Sequence, residues 1–361
     1  AFDSISHVKL LSIFQSIGIN NKSYKLFKSY LQNRKQQVQI GDTLSNELTI
    51  TNRVPQGTVL SPILYIIYVA ELGNLNIHGK LFSYADDTAL IISETNWEKA
   101  YQYAESDMCI INEWFFKHNL RLNPNKTKFI TFTQDKRTQP IISEIKIHKL
   151  CCIAKNKNDS CILIKKIDNI KYLGVVFDQY MKWDIQIKNL IIKMRKLNHF
   201  YINAKKVLDK SMLRMVYFAM TQSILQYGIT AWGGLGIVAY NKLQTAQKSI
   251  IKIILNKPIT YPSNELFKEM NVFNIKQLFY RNALYFTYKL NLINFKHTSH
   301  TTRRNNNKLI IPTLKTLKSS RYFAKVGLEL LNNNIPSNIL NCNSYTKYKH
   351  LIKIWLSNLQ E

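Results

Sequence analysis

Acidic residues are scarce in this chain. Its 361 residues hold 22 Asp and Glu against 50 Lys and Arg, a formal net charge of +28. So few carboxylates make an acidic partner the first expectation, nucleic acid before an anionic membrane. Cysteine is sparse too. The five are Cys109, Cys151, Cys152, Cys161 and Cys342, with no C-x-x-C pair. That excludes a disulfide framework and fits a reducing, intracellular setting. His148 with Cys151, Cys152 and Cys161 is the one grouping that resembles a zinc set, and its spacing is not a standard one. Long apolar runs are also missing. The longest, Val59 to Ala70, is interrupted by Ser61 and Pro62 and falls short of the roughly 20 residues a bilayer span needs. The start has no basic region followed by an apolar run, so no signal peptide is visible. Residue 1 is Ala rather than Met, which reads as a fragment.

What is present is core-forming. Hydrophobic residues make up 46% and aromatics 12%, which excludes a disordered basic tail and predicts two or three domains. Lys outnumbers Arg 40 to 10, and Lys, Asn and Ile together are the product of AT-rich coding. The distribution of charge is therefore better evidence than its total. Residues 1–134 carry 13 basic and 11 acidic residues, a net of +2, while residues 135–361 carry 37 and 11, a net of +26. Residues 172–258 contribute +10 and residues 259–361 contribute +11.

Periodicity predicts helices at 7–17, 22–33, 62–72 and 97–118. Strands are predicted at 36–40 and 47–51 around a Gly41-Asp42 turn, then at 80–92 as a hairpin, at 128–132 and at 171–177. Residues 135–168 are polar and Lys/Asn-rich and read as an excursion between strands. From Trp183 onward the pattern is helical, over 185–206, 210–227, 238–255 and 274–295. The fold class expected is α+β for about 180 residues, followed by an all-α part.

Asp86 and Asp87 sit at the predicted hairpin tip in an apolar stretch. Two adjacent carboxylates there repel each other, and a divalent cation relieves the repulsion. Successive strand residues face opposite ways, so Asp86 is expected to be the principal ligand, with Asp87 in support. The dipeptide alone is also consistent with a plain turn.

The order of motifs decides between these. Ala1-Phe2-Asp3, then Arg53-Val-Pro-Gln-Gly-Thr-Val-Leu-Ser-Pro62, then Tyr84-Ala-Asp-Asp87, then Leu122-Asn-Pro-Asn-Lys126-Thr, then Tyr172-Leu-Gly-Val175 follow one another. The series resembles the reverse transcriptases of non-LTR retrotransposons, from the end of motif A through motifs B, C, D and E. The segments 225–233 (LQYGITAWG), 243–255 (LQTAQKSIIKIIL) and 332–339 (NNNIPSNI) look like the region that follows the polymerase in jockey-like elements.

The resemblance implies a right-hand polymerase: a palm at 1–180, a helical thumb at 181–257 and a C-terminal helical region at 258–361. It implies RNA-directed DNA synthesis with two Mg²⁺ (or Mn²⁺) ions, an RNA template, a DNA primer and deoxynucleotides. Nuclear and cytoplasmic locations and no membrane association go with it.

Residue roles follow motif by motif. Asp86 and Asp87 hold metal. Phe2 matches the ring that excludes a ribose 2′-OH. Pro55, Gln56 and Gly57 match the loop that meets template and incoming nucleotide, where Gln56 supplies an amide. Lys126 matches a cation that protonates the leaving pyrophosphate, with Lys128 as a competitor. Tyr172, Leu173 and Gly174 match the primer grip. On the helix at 185–206, Ile187, Leu190, Ile191, Met194 and Leu197 face a core. Lys188, Lys193, Arg195 and Lys196 are left to meet phosphates or water.

The family's motif A Asp lies five residues before the Phe of A-F-D and would precede residue 1, as would the fingers. The 361 residues alone are therefore expected to be inactive. A non-catalytic nucleic-acid-binding remnant and a group II intron-type maturase are the alternatives.

Overall fold

The computed structural model describes residues 2–133, 135–148, 161–293, 309–311, 321–336, 339, 342 and 344–359, without the side chain of Phe2. The chain divides into two compact units. One is residues 1–174 with 179–181, and the other is residues 175–178 with 182–361.

The first unit is mixed. Helix α1 (His7–Ser16) starts where the Ser6 hydroxyl accepts from the Lys9 amide, satisfying one orphan donor of the first turn. Helices α2 (Asn21–Leu31) and α3 (Leu60–Val69) follow on either side of four two-residue strands. Pro62 lies in the first turn of α3, where its missing N–H costs nothing. α4 (Trp97–Lys117) is capped by Asn96. Leu10 and Phe14 of α1, Leu64 and Tyr68 of α3, and Ile111 and Trp114 of α4 share one buried cluster. Tyr101 of α4 packs a second cluster with Ile145, Ile147 and Ile164. These come from the antiparallel strands Glu144–Ile147 and Ile162–Lys165, which lie inside the predicted excursion.

Several expectations about strands fail. The stretches at 36–40 and 47–51 are not continuous strands. Lys35–Gln36 pairs with Leu48–Thr49, and Gln39–Ile40 pairs with Thr43–Leu44 around Gly41-Asp42. Between these rungs the Ser45 hydroxyl accepts from the Val38 amide, so a side chain occupies a donor that a ladder would use. Residues 128–132 form no strand. Phe129 makes a single bridge to Lys166, and Thr131 and Thr133 bond instead to the side chains of Gln139 and Thr138. Residues 171–177 are not one strand either: Asn169–Tyr172 and Val175–Asp178 are separate. Leu173 (φ +44) and Gly174 (φ +80) turn the chain between them. A left-handed backbone at two successive residues ends any extended run, and the second position favours glycine.

The second unit is helical. Its described α-helices are α5 (Asp184–Ala204), α6 (Lys210–Val216), α7 (Ser223–Gln226), α8 (Ile229–Trp232), α9 (Ile237–Leu255), α10 (Ser263–Met270), α11 (Ile275–Lys289), α12 (Phe323–Asn333) and α13 (Tyr345–Asn358). The single helix predicted over 210–227 is interrupted by a π-helical stretch, Tyr217–Gln222. There the buried Tyr217 phenol accepts from the Gln247 amide and Thr221 meets the Tyr201 hydroxyl. Met194, Tyr201, Trp232, Ile250, Leu278 and Ile352 belong to one continuous core. Among the described residues no helix is long and apolar enough to cross a membrane.

Candidate active site

The paired carboxylates lie on an antiparallel hairpin of β5 (Lys80–Tyr84) and β6 (Asp87–Ile91), with Tyr84 opposite Asp87. Ala85 and Asp86 form the two-residue loop, and Ala85 has φ +52. A positive φ at a loop residue matches the twist of a tight hairpin. The turn therefore sits one residue earlier than the Asp86-Asp87 tip expected from sequence, and Asp87 begins the returning strand. Both carboxylates are exposed, and neither has a hydrogen bond or ion pair to another described residue.

The two acids act on different neighbours. Burial raises the pKa of the Tyr65 phenol on α3, and the negative charge of Asp86 raises it further. Burial likewise raises that of Tyr172, with Asp87 adding to the shift. The Tyr172 hydroxyl also donates to the Phe82 carbonyl on β5 at 3.4 Å. The charge of Asp86 is thus felt at Tyr65 of α3 and that of Asp87 at Tyr172 beside the Leu173-Gly174 turn.

The Pro55-Gln56-Gly57 loop is tied to the start of the chain. The Arg53 Nε lies 2.7 Å from Asp3 Oδ1, and the Gln56 amide donates to the same oxygen at 3.2 Å. The Arg53 backbone, at φ +86, donates its amide to the Ile5 carbonyl at 2.8 Å and accepts from His7 Nε2 at 2.8 Å. Pro55 offers its carbonyl to the hydroxyls of Thr58 and Ser61. Gly57 has φ +80, and open space lies where a side chain would project. α3 begins three residues later and carries Tyr65 to Asp86. Phe2 opens the short 3₁₀ turn Phe2–Ser4, and its side chain is outside the described set.

Lys126 is exposed in a turn in which its amide and that of Asn125 donate to the Asn123 side chain. The structure shows no link between its ammonium and the hairpin. Lys188, Lys193, Arg195 and Lys196 are exposed on α5, opposite its buried Ile187, Leu190, Met194 and Leu197.

Asp86 and Asp87 offer hard oxygen donors suited to Mg²⁺ or Mn²⁺. No group of three or more His, Cys, Asp or Glu side chains that could hold a metal ion occurs among the described residues. The pair accordingly fits as part of a metal site rather than as a closed cage. The zinc grouping falls only partly within the described residues. Cys161 Sγ lies 3.2 Å from His148 Nδ1, while Cys151 and Cys152 lie outside the described residues.

Sequence reasoning missed the anchor of the hairpin. Asp107 on α4 is fully buried. It accepts from the His78 and Gly79 amides at 3.1 and 2.8 Å and sits 2.9 Å from His78 Nδ1, just before β5 begins. The His78 ring stacks on Tyr103 at 3.9 Å. An Asp that interrupts an apolar helix face, 20 residues after Asp87, was the only available signal.

Comparison with known proteins gives one consistent picture. Residues 1–177 match the family described as reverse transcriptase (RNA-dependent DNA polymerase). The chain is 25% identical over 315 residues to the probable RNA-directed DNA polymerase from transposon BS of Drosophila melanogaster, covering 84% of this chain and 33% of that protein. It is 27% identical over 269 residues to the RNA-directed DNA polymerase from mobile element jockey of Drosophila funebris, covering 72% of this chain and 28% of that protein. To the probable RNA-directed DNA polymerase from transposon X-element of Drosophila melanogaster it is 24% identical over 264 residues, covering 70% and 27%. The chain spans about a third of the length of these relatives.

Proposed function

Because residues 1–177 belong to the reverse transcriptase family, we propose that the protein carrying this chain copies RNA into DNA as the polymerase of a non-LTR, jockey-like retrotransposon. The observation that carries the reading is the β5–β6 hairpin. It presents two exposed carboxylates whose charges reach Tyr65 of α3 and Tyr172 of the Tyr-Leu-Gly turn. In this reading residues 1–180 are the palm, 181–257 the thumb and 258–361 a C-terminal extension, working in the nucleus and cytoplasm.

Asp86 and Asp87 would hold the divalent ions, with Asp86 the principal ligand. Such ions, when bound, activate a primer 3′-OH and neutralise a triphosphate. The remaining steps fall to the chain itself. Asp3 and Arg53 fix the Gln56 amide nitrogen, which leaves its carbonyl oxygen for an incoming nucleotide. Phe2 is assigned the exclusion of a ribose 2′-OH. Lys126 supplies a cation and a proton to the departing pyrophosphate. The Tyr172-Leu173-Gly174 turn offers backbone groups to the primer strand. Lys193, Arg195 and Lys196 hold duplex phosphates by charge, without reading sequence.

The concentration of +26 in residues 135–361 also favours a second reading, a nucleic-acid-binding protein that performs no chemistry. Asp86→Asn separates the two. The substitution leaves the fold intact because the side chain is exposed. It stops RNA-templated primer extension in a polymerase, and it changes nothing measurable in a binding protein.

A further inference from the structure

Arg281 of α11 is a largely buried cation without a counter-ion. Its Nη2 donates to Gln226 Oε1 of α7 at 2.7 Å, its guanidinium lies 5.6 Å from the Phe273 ring, and its enclosed Nε meets no acceptor. No ion pair to it occurs among the described residues, and Glu329 of α12, which packs on α11, lies 3.7 Å from Lys325 instead. The sequence has no Asp or Glu at 210–264, 270–328 or 330–360, so α7, α11 and α13 contain none. Burial accordingly pulls the guanidinium pKa down. An uncompensated buried cation costs several kcal/mol, and an apolar side chain of similar volume is commonly more stable in such a place.

One turn along α11 an aromatic and basic cluster opens to solvent. The Tyr285 hydroxyl donates to the Lys349 carbonyl of α13 at 3.2 Å. The Lys349 ammonium lies 5.9 Å from the Tyr285 ring and 5.1 Å from the Tyr345 ring. Tyr345 is exposed at 37% and stacks on Tyr288 at 5.6 Å and 22°. Lys353 extends the exposed side of α13.

We propose that Arg281, Tyr285, Tyr345 and Lys349 form a binding site for single-stranded nucleic acid on the C-terminal helices, separate from the polymerase motifs. Arg281 and Lys349 take backbone phosphates, which supply the missing anion, and Tyr345 supplies a ring face for a base. With Nη2 on Gln226 and Nε enclosed, Nη1 of Arg281 is the donor left for a phosphate oxygen, and that bond is charge-assisted. Tyrosine faces favour single strands over duplex because only unpaired bases expose their own faces for stacking. An acidic protein segment is the competing occupant. It would use the cations and leave the Tyr345 face unexplained.

The test is titration of the full chain with a labelled single-stranded RNA oligonucleotide, a duplex of the same sequence and a labelled acidic peptide. Tyr345→Ala and Lys349→Ala are surface changes and keep the fold. Each is expected to weaken single-strand binding by about 5- to 100-fold and duplex binding far less. Lys349→Ala should also lower the salt slope by about one. Arg281→Met is expected to raise the melting temperature while weakening RNA binding, and Arg281→Lys to recover part of the affinity. Wild-type RNA affinity in both surface variants overturns the proposal, as does equal loss for single strand and duplex, or loss confined to the acidic peptide. None of these readouts involves Asp86, so they stand or fall apart from the polymerase reading.

Discussion

Asp107 and Asp3 illustrate two kinds of support that individual residues give the candidate site. Asp107 is enclosed and hydrogen-bonded to His78 and Gly79, so Asp107→Ala removes the acceptor shared by two backbone amides and a ring nitrogen. The expected loss is about 2–4 kcal/mol of stability, read as a lowered denaturant midpoint, with polymerase activity lost in parallel as the hairpin loses its anchor. Asp3 is exposed and its pairing with Arg53 is a surface contact, so Asp3→Ala should cost less than about 1 kcal/mol. It should instead raise the KM for deoxynucleotides, because the Gln56 amide is no longer held. Asp86, Asp87 and Gln56 were singled out in the sequence because short motifs follow one another in a recognisable order. Asp107 and Arg53 were not, because their partners lie 28 and 50 residues away and nothing local marks an Asp on a helix as buried.

Elements repeat the pattern. Long helices were legible because a 3.6-residue apolar period needs no partner to be seen, and α4, α5 and α9 begin and end within a residue or two of expectation. Short strands were not. The break at Leu173-Gly174 and the Ser45 side chain bond are decided by single residues inside runs that look extended. The π-helical stretch at Tyr217–Gln222 was hidden for a related reason, since buried polar partners on α5 and α9 accompany it. Close helix packing was equally invisible. A Cβ at Gly327 of α12 would clash with the Thr287 hydroxyl of α11 and crowd the Ala283 carbonyl, so Gly327→Ala displaces that hydroxyl or shifts the helices. A cost of about 1–3 kcal/mol follows, and thermal melting of the purified chain measures it. The Gly174 backbone at φ +80 makes Gly174→Val strained as well. It should reduce primer use more than template binding.

At the scale of the whole chain, charge separates two tasks. The stretch with the paired carboxylates, residues 1–134, is close to neutral at +2, whereas the helical stretch, residues 172–361, carries +21 of the +28. Nucleic-acid affinity should therefore fall steeply with salt, with log K declining in proportion to the phosphates neutralised. Removing Lys193, Arg195 and Lys196 together is expected to reduce that slope by about three, as measured by duplex binding across a salt series. The α+β to all-α order was visible in the sequence because composition and periodicity both change near residue 180. The location of the C-terminal cationic site was not, since it depends on α7, α11 and α13 meeting far from one another in sequence.

The central claim is that the Asp86–Asp87 hairpin serves RNA-directed DNA synthesis, and primer extension tests it most directly. Residues 1–361, expressed with whatever residues precede and follow them in their reading frame, are given an RNA template, an annealed DNA primer, deoxynucleotides and Mg²⁺. The account predicts template-directed extension that drops at least about 100-fold with Asp86→Asn while duplex affinity and melting temperature stay unchanged. Extension that is undiminished by Asp86→Asn would contradict it.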